Sequence, residues 1–289
     1  MWFMRKKCFS VHWSGKSLFS QALFFLSLSL GWGAGTVCAA EYSLAVVPQF
    51  DSRKIEETWA PIITAIEKGA GVKLVLRGNV SIPEFEGRLY AGDFDFAYMN
   101  PYHFVRAFRS QKYRALVRDH GEMLQGVIVV RKDSPIARVE ELDGKRVAMP
   151  APNALGAALI PRAEFSRKFK IKPEIVYVRS HSSVYRNVVA GVADAGGGIE
   201  STFDAESEAI RSQLRILYRT LEVPPHPLAV HPRVDRRVAD RVVKAILDFA
   251  QTAEGKNYFA SVPMSKPGPA TTNEYLPLEA LKLDEFFVK

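Results

Sequence analysis

An internal repeat constrains the fold of this chain more than any other feature. The stretch "LYAGDFDFAYMNP" at 89–101 and the stretch "VVAGVADAGGGIE" at 188–200 share one pattern. In each, an apolar helix end is followed by Gly, an Asp lies three positions after the Gly, and a small residue lies two positions after the Asp. The matched positions, at one constant offset, are Gly92, Asp95 and Ala97 in the first copy and Gly191, Asp194 and Gly196 in the second. Because glycine ends helices in the left-handed backbone conformation, each copy predicts a helix end followed by a strand.

Strands and helices alternate around each copy. In the first half we predict "YSLAVV", a helix with apolar positions from Ile55 to Ile66, "VKLVL", a helix over Pro83–Tyr90, and "FDFAYM". In the second half we predict "KRVAMP", a helix over Leu155–Phe165, "EIVYV", a helix over Val184–Ala190, and "ADAGGG". Such alternation predicts an α/β fold in which two Rossmann-like lobes each contain a largely parallel sheet.

Two extended segments, "GVIVVR" and "PPHPLAV", lie where the chain must pass between the halves, and we expect them to act as hinges. An apolar helical stripe from Val238 to Ala250 should pack back on the first lobe, whereas the tail from Pro263 onward should be mostly loop. The predicted division is residues 1–40 as a signal peptide, 41–125 as the first part of lobe 1, 126–224 as lobe 2, and 225–289 as the return to lobe 1.

The first forty residues are typical of a secretory leader. Basic residues at Arg5, Lys6, Lys7 and Lys16 precede the apolar run Leu18–Leu30, and small residues follow it up to Ala40. The run is shorter than the ~20 residues of a membrane span. We therefore expect cleavage after Ala39 or Ala40 and a periplasmic location.

Both cysteines, Cys8 and Cys38, lie in this leader, so the remaining chain has no disulfide and no thiolate for a metal. Removing 40 of 289 residues leaves 249, and subtracting the four leader cations leaves 35 Lys and Arg against 31 Asp and Glu, a net charge of +4. A mild positive charge favours anionic ligands by long-range attraction, and it gives no reason to expect nucleic-acid binding.

In open α/β sheets, ligands lie beyond the carboxyl ends of the strands, so "YMNP" and "GGGIE" should face each other across a cleft. The chain has no G-x-S-x-G, H-E-x-x-H or G-x-x-x-x-G-K motif, and the five histidines after the leader show no i, i+4 pairing. We expect a binding protein rather than an enzyme, with no cofactor and no metal.

Three segments resemble the periplasmic binding proteins of phosphate, phosphonate and phosphite ABC importers. They are "RLYAGDFDFAYMNP", "DSPIARVEELDGKRVAMPAPNALGAALIP" and "RSHSSVYRNVVAGVADAGGG". The resemblance implies the type 2 periplasmic-binding-protein fold, in which two lobes joined by two hinge strands close on a ligand. It implies capture of a small phosphorus oxyanion or related organic anion for an ABC permease at the inner membrane, by a monomer.

The resemblance maps the oxyanion site to the helix start after "AP", at Asn153, Ala154, Leu155 and Gly156. The first amides of a helix lack internal partners and attract anions. Relatives carry Ser and Thr hydroxyls where this chain has Ala154 and Leu155, so side-chain donors are lost here and an apolar wall is gained.

The resemblance also aligns His181 with a ligand-contacting histidine of aminophosphonate-binding relatives, and its alternative role is that of a histidine near a helix cap that bonds to the backbone. The neighbouring Ser180 and Ser182 either contact the ligand or cap a helix. With a one-residue shift, Glu200 matches an acid that contacts a ligand amine in relatives; its alternative role is a first-turn carboxylate attracted by the helix dipole.

Four residues at predicted strand ends complete the candidate site: Gln49, Phe50, Tyr98 and Asn100. They offer neutral hydrogen-bonding groups and an apolar wall, and ordinary loop packing is the alternative. Two other functions remain open: a sensory protein that reports anion levels to a membrane-bound histidine kinase, and an enzyme on the same fold.

Overall fold

The computed structural model describes residues 40–50, 52–78, 81–262 and 264–288, and the predicted signal peptide lies outside them except for Ala40. The strands are β1 (Glu41–Val46), β2 (Lys73–Arg77), β3 (Phe96–Tyr98), β4 (Arg114–Asp119), β5 (Leu124–Arg131), β6 (Arg146–Met149), β7 (Glu174–Tyr177), β8 (Ala195–Ile199), β9 (Leu214–Val223), β10 (Leu228–Val230) and β11 (Pro267–Pro269). The helices are α1 (Ser52–Ala70), α2 (Ile82–Ala91), α3 (Pro101–Gln111), α4 (Ile160–Glu164), α5 (His181–Val189), α6 (Glu200–Asp204), α7 (Glu208–Arg211), α8 (Arg236–Gln251) and α9 (Ala253–Ala260). In the described part of the chain, no helix is both long and apolar enough to cross a bilayer.

The strands form two sheets, in the orders β11-β4-β10-β3-β1-β2 and β7-β6-β8-β5-β9. In the first, β1 pairs in parallel with β2 and β3, and β10 lies antiparallel between β3 and β4. In the second, β6 pairs in parallel with β7 and β8, and β5 lies antiparallel between β8 and β9. The predicted α/β fold with two Rossmann-like halves is confirmed. The prediction of largely parallel sheets is wrong, because the strands next to the passages between the sheets, β4, β5, β9 and β10, form antiparallel pairs.

The chain passes between the sheets twice, from Asp119 to Leu124 and from Val223 to Leu228. The second passage lies in "PPHPLAV", as expected. The first does not lie in "GVIVVR", because that segment is the interior of β5 and is paired on both sides. The first passage therefore comprises the residues just before β5.

The structure gives the repeat a physical meaning. Gly92 and Gly191 both have left-handed backbones, with φ of 81° and 68°, and each precedes an interior strand of its sheet, β3 or β8. The Asp95 carboxylate accepts a hydrogen bond from the Ser43 amide at 2.8 Å. The Asp194 carboxylate likewise accepts one from the Arg146 amide at 2.9 Å. Each aspartate thus connects the start of its strand, β3 or β8, to the neighbouring strand, at the ends of the strands that face away from the predicted cleft.

Glycines bring one helix against the second sheet at unusually short range. A Cβ on Gly126 of β5 would lie 2.1 Å from the Gly156 carbonyl oxygen, and one on Gly197 of β8 would lie 2.0 Å from the Ala157 carbonyl oxygen. No side chain fits at either position. The triple glycine of the repeat therefore allows the start of the 155–169 helix to lie directly on the strands.

That helix is longer than the predicted Leu155–Phe165. Two π-helical segments, Leu155–Leu159 and Phe165–Phe169, flank α4 without a break, and Lys170 ends the helix with a φ of 57°. The sequence predictions also missed α3, β4 and β9. In α3, Pro101 occupies the first turn, which tolerates its missing amide hydrogen, so it begins a helix as well as ending a strand.

The C-terminal part is more ordered than predicted. The stripe Val238, Val242 and Ile246 of α8 is buried in the core that also contains α1, as expected. The tail predicted as mostly loop instead contains β11 and the 3₁₀ turns Thr272–Glu274, Leu276–Leu281 and Leu283–Phe286.

Candidate functional site

A small cavity lined by buried residues lies between the two sheets, and we call it the inner cavity. Its volume is about 20 Å³, room for about one water molecule, so the lobes must part or the walls must shift to admit a larger ion. Its lining comes from both sheets and both passages between them. The lining residues are Val47, Gln49, Ile82, Asn100, Leu124, Ala154, Leu155, Gly156, Ala157, His181, Ile199 and His226.

The start of the 155–169 helix forms one wall. Ala154 is extended, with φ −65° and ψ 105°, and its carbonyl oxygen accepts hydrogen bonds from Ala158 at 2.8 Å and Leu159 at 3.0 Å. The amides of Leu155, Gly156 and Ala157 precede these first helical bonds. Amides in this position have no partner in a preceding turn, and the helix dipole adds partial positive charge.

His181 is the first residue of α5 and is buried. Its Nδ1 lies 3.2 Å from Thr202 Oγ1, which in turn donates to the Ile199 carbonyl oxygen at 2.9 Å. Burial lowers the pKa of His181 to about 4, so the ring is neutral at physiological pH. Thr202, which the sequence did not single out, orients this ring.

His226 is a second cavity histidine, and the sequence analysis did not select it. It lies in the second passage, and its ring stacks on the Tyr98 ring with centroids 5.5 Å apart. Burial is the main cause that lowers its pKa, and charge repulsion from His103 and His181 adds to the shift, which brings the pKa to about 3. The sequence signal was its position in a segment that crosses between the lobes, close to the cleft.

Asn100 and Asn153 connect the two halves behind the cavity. Asn100 caps α3 by accepting from the His103 amide at 2.8 Å, and its Nδ2 donates to the Asn153 carbonyl oxygen at 3.3 Å. Asn153 Nδ2 donates to Glu86 Oε2 at 2.9 Å, and the other Glu86 oxygen lies 2.7 Å from His103 Nε2. Asn153 is therefore a bridging residue and does not line the cavity.

A larger and more open space adjoins the inner cavity, and we call it the outer cavity. Its volume is about 520 Å³, and it shares Leu124, Ile199 and His226 with the inner cavity. Glu200 lines the outer cavity and is paired with Arg219, at 2.7 Å from Nη2. The acidic residues around it are Asp119, Glu122, Glu200, Asp204 and Glu222.

The structure separates the predicted site residues into groups. Six line the inner cavity: Gln49, Asn100, Ala154, Leu155, Gly156 and His181. Phe50 and Tyr98 line a separate small space beside α1, which Gln49 also contacts. Ser180 caps α5 by accepting from the Ser183 amide at 3.2 Å, and neither Ser180 nor Ser182 lines the inner cavity.

The inner cavity is lined by apolar and neutral polar groups. Within the described ranges, its lining includes no Asp, Glu, Lys or Arg side chain. The structurally described part of the chain also holds no group of three or more His, Cys, Asp or Glu residues arranged to bind a metal ion. The polar groups of the residues that line the cavity are therefore backbone groups, two carboxamides and two imidazoles.

Comparisons with known proteins agree with this architecture. Residues 44–275 match the family model described as the phosphonate periplasmic substrate-binding protein of ABC transporters. The fold is similar to that of a binding protein component of an ABC phosphonate transporter from Pseudomonas aeruginosa. That match has a TM-score of 0.74 and 14% identity over 84% of this chain and 86% of that one.

Two further solved structures share the fold. The PhnD1 protein from Prochlorococcus marinus, in complex with methylphosphonate, matches with a TM-score of 0.74 and 14% identity over 83% of this chain and 96% of that one. A Xanthomonas citri protein bound to ATP matches with a TM-score of 0.69 and 17% identity over 86% and 98% of the two chains.

Proposed function

The chain belongs to the phosphonate-binding family of periplasmic substrate-binding proteins of ABC transporters, and from this premise we propose that it captures a small phosphorus oxyanion in the inner cavity. Phosphate, phosphite and alkylphosphonates are the candidate ligands, together with related small organic anions. The start of the 155–169 helix carries this proposal. Its amides of Leu155, Gly156 and Ala157 lie at a cavity that both sheets enclose, which is the arrangement that an anion needs.

The walls favour a ligand with a carbon substituent. Leu155, Leu124, Ile82 and Ile199 place apolar surface around the amides, and Ala154 offers no hydroxyl. Bare phosphate would leave more of its oxygens without hydrogen-bond partners than methylphosphonate would, and each such loss is costly in a buried site. We therefore expect an alkylphosphonate to bind more tightly than phosphate.

The outer cavity supports the same choice by charge. Its acidic lining disfavours a second anionic group on the ligand, whereas it tolerates a cationic arm that extends out of the inner cavity past His226. Glu200 is already paired with Arg219, so an amine of the ligand would have to compete with Arg219 for the Glu200 carboxylate. An aminoalkylphosphonate therefore belongs in the ligand panel.

The family places the protein in the periplasm, with a permease as its partner. We propose that the basic and apolar leader over residues 1–40 directs export and that the exported protein is a monomer that does not bind nucleic acid. We also propose that residues 41–125 and 225–289 form one lobe and residues 126–224 the other. The membership of the strands in the two sheets supports this division.

Transport is favoured over the alternatives that the sequence left open. The matched family consists of transport proteins, which supports import over a sensory role, and its members bind ligands rather than convert them. The neutral, largely apolar lining of the inner cavity gives no reason to add a catalytic role.

A calorimetric panel tests the proposal. The purified chain from Glu41 onward is titrated with phosphate, phosphite, methylphosphonate, aminoethylphosphonate, sulfate and acetate. We expect methylphosphonate or aminoethylphosphonate to bind most tightly. If none of the phosphorus oxyanions gives a binding signal at millimolar concentration, the proposed function is wrong.

A further inference from the structure

The inner cavity presents an unusual problem for a site that would hold an anion. Its lining provides no cationic side chain within the part of the chain that the structure describes, although the ligand would lose its water there. Asn100 accepts from the His103 amide and donates one of its two Nδ2 hydrogens to the Asn153 carbonyl oxygen. Gln49 is the other carboxamide of the lining, and neither amide can carry a charge. The side chains of the lining that can take up a proton are His181 and His226.

The contacts of Thr202 assign the tautomer of His181. Thr202 Oγ1 lies 2.9 Å from the Ile199 carbonyl oxygen, 2.8 Å from Tyr185 Oη and 3.2 Å from His181 Nδ1. We assign its one hydrogen to the carbonyl oxygen, the only one of these three partners that cannot donate, so that Tyr185 Oη and His181 Nδ1 both donate to Thr202 Oγ1 and Nδ1 carries the ring hydrogen. The neutral ring then has only the lone pair of Nε2 to offer a ligand. An anion oxygen would repel that lone pair unless a proton lay between them.

The surroundings of His226 are neutral or positive on the side of the inner cavity and acidic on the other. Tyr98 stacks on its ring, and His103 and His181 are close enough to oppose its protonation, with His103 itself paired to Glu86. On the side of the outer cavity the titratable groups are Asp119, Glu122, Glu200, Asp204 and Glu222, of which Glu200 is paired with Arg219. An incoming anion would reverse the balance on the inner side and favour protonation.

We propose that the inner cavity binds its oxyanion together with one proton from solvent, held between an anion oxygen and His181 Nε2 or the His226 ring. The inference rests on the proposed function and adds the class of ligand, which is an oxyanion that can share a proton. A dianion, a neutral imidazole and one proton from the buffer give the complex. The proton ends on a ligand oxygen, as P–OH donating to nitrogen, or on the ring, as N–H donating to oxygen.

Proton uptake makes affinity depend on pH in a defined direction. Where the free ligand is mostly the dianion and both rings are neutral, the apparent dissociation constant should rise about tenfold per pH unit. Binding should therefore weaken as the solution becomes more alkaline. A site that bound the dianion through fixed backbone amides alone would show no such dependence.

The decisive measurement is a proton count on the unmodified protein. The chain from Glu41 onward is titrated with methylphosphonate about two pH units above the second pKa of the ligand, where linkage predicts about one proton taken up per ligand. Two phosphate-free buffers of different ionisation enthalpy give the count from the difference in observed heat. Equal observed heats of binding in the two buffers would mean that no proton is taken up, and would overturn the inference while leaving the proposed function intact. If no phosphorus oxyanion bound at all, both would be overturned.

Variants assign the proton to its site. His181→Gln and His226→Gln each replace a ring with an amide that does not titrate, and at least one should abolish the uptake. His231→Gln is the matched control. His231 follows β10 at the end of the first sheet that lies away from the inner cavity, so this variant should leave the proton count unchanged. Full uptake in both cavity variants would overturn the assignment. If a cavity variant does not fold, the proton count on the unmodified protein still decides the inference.

Methanesulfonate, which has the shape of methylphosphonate but stays unprotonated, locates the proton. Binding with uptake of one proton places the proton on a ring, and failure to bind places it on the ligand. Binding as tight as that of methylphosphonate without any uptake would contradict the inference.

Discussion

The two buried imidazoles make the free protein sensitive to mild acid. The pKa of His181 falls to about 4 and that of His226 to about 3, whereas both rings titrate near 6.5 in the unfolded chain. Below pH ~6.5 the unfolded chain therefore binds protons that the folded protein does not. Each ring should lower the free energy of unfolding by about 1.4 kcal/mol per pH unit as the pH falls below that value.

Urea denaturation at pH 7, 6 and 5 measures this loss. We expect His181→Gln and His226→Gln to reduce the slope between pH 6 and 5, because each removes one such ring, while His231→Gln, with a smaller downward pKa shift, should change it less. An unfolding free energy that is constant from pH 7 to pH 5 would show that these rings are not buried in the neutral form.

Ligand preference at the helix start depends on Ala154 and Leu155. Ala154→Ser combined with Leu155→Thr restores hydroxyl donors beside the amides and removes an apolar wall. Phosphate and phosphite should gain affinity relative to methylphosphonate, at about 0.5–1.5 kcal/mol for each hydrogen bond formed. Dissociation constants for the three ligands provide the measurement.

Ser166→Ala serves as the control for this pair, because Ser166 lies on the same continuous helix but is exposed and does not line the inner cavity. Unchanged relative affinities in the double variant would mean that this helix start does not contact the ligand.

At the scale of the elements, contact between the 155–169 helix and the sheet depends on two glycines. Gly126→Ala and Gly197→Ala each place a methyl group about 2 Å from a helix carbonyl oxygen, so the helix must move away from β5 or β8. We expect a loss of about 1–3 kcal/mol in unfolding free energy, together with weaker ligand binding, because the displaced helix carries the amides. Thermal unfolding and calorimetry measure the two effects.

Gly87→Ala in α2 is the matched control. A Cβ at Gly87 meets nothing within 4 Å, so this variant should keep its affinity and gain about 0.4–1 kcal/mol from the smaller entropy of the unfolded chain. If Gly126→Ala and Gly197→Ala behaved like Gly87→Ala, the close approach of helix and sheet would not be needed for binding.

At the scale of the whole molecule, the C-terminal segment, residues 276–288, joins the two halves on one side of the cavity. On the first half, Asp284 pairs with Arg106 at 2.6 Å and with Arg109 at 2.8 Å. On the second, Arg167 donates to the Leu281 carbonyl oxygen at 2.6 Å and also pairs with Glu285. These contacts hold both halves together and should favour the closed arrangement before any ligand binds.

Arg167→Ala removes the contacts of Arg167 with the C-terminal segment and leaves the two hydrogen bonds between Asn153 and Val288 in place. We expect the closed arrangement to lose about 1 kcal/mol, which lowers the ratio of closed to open molecules about fivefold and weakens ligand binding by a similar factor. Small-angle scattering should show a larger radius of gyration for the free variant than for the unmodified protein, and ligand should reduce the radius of the variant.

Arg211→Ala is the control, since Arg211 pairs with Glu208 in the second half and has no contact with the C-terminal segment among its hydrogen bonds and ion pairs. A radius that is equal for all three proteins, with and without ligand, would count against a role for the segment in closure.

The sequence by itself determined the order of strands and helices around the repeat, because hydrophobic periodicity and glycine helix ends are local properties. It therefore predicted the two-lobed α/β fold, and with the family resemblance it also selected the 155–169 helix start and His181. It missed α3 because Pro101 was interpreted only as the end of a strand, although the first turn of a helix also accepts proline.

Only the tertiary structure decided which side chains share the cavity. His226 and Thr202 lie 45 and 21 residues from His181 along the chain, and no local pattern indicates that the first lines the same cavity and the second holds the His181 ring. Likewise, Asn153 and Glu200 were reasonable candidates by position, but one bridges the halves and the other pairs with Arg219. The physical reason is that burial, pKa and hydrogen-bond partners depend on contacts between distant segments, which exist only after the two sheets have packed together.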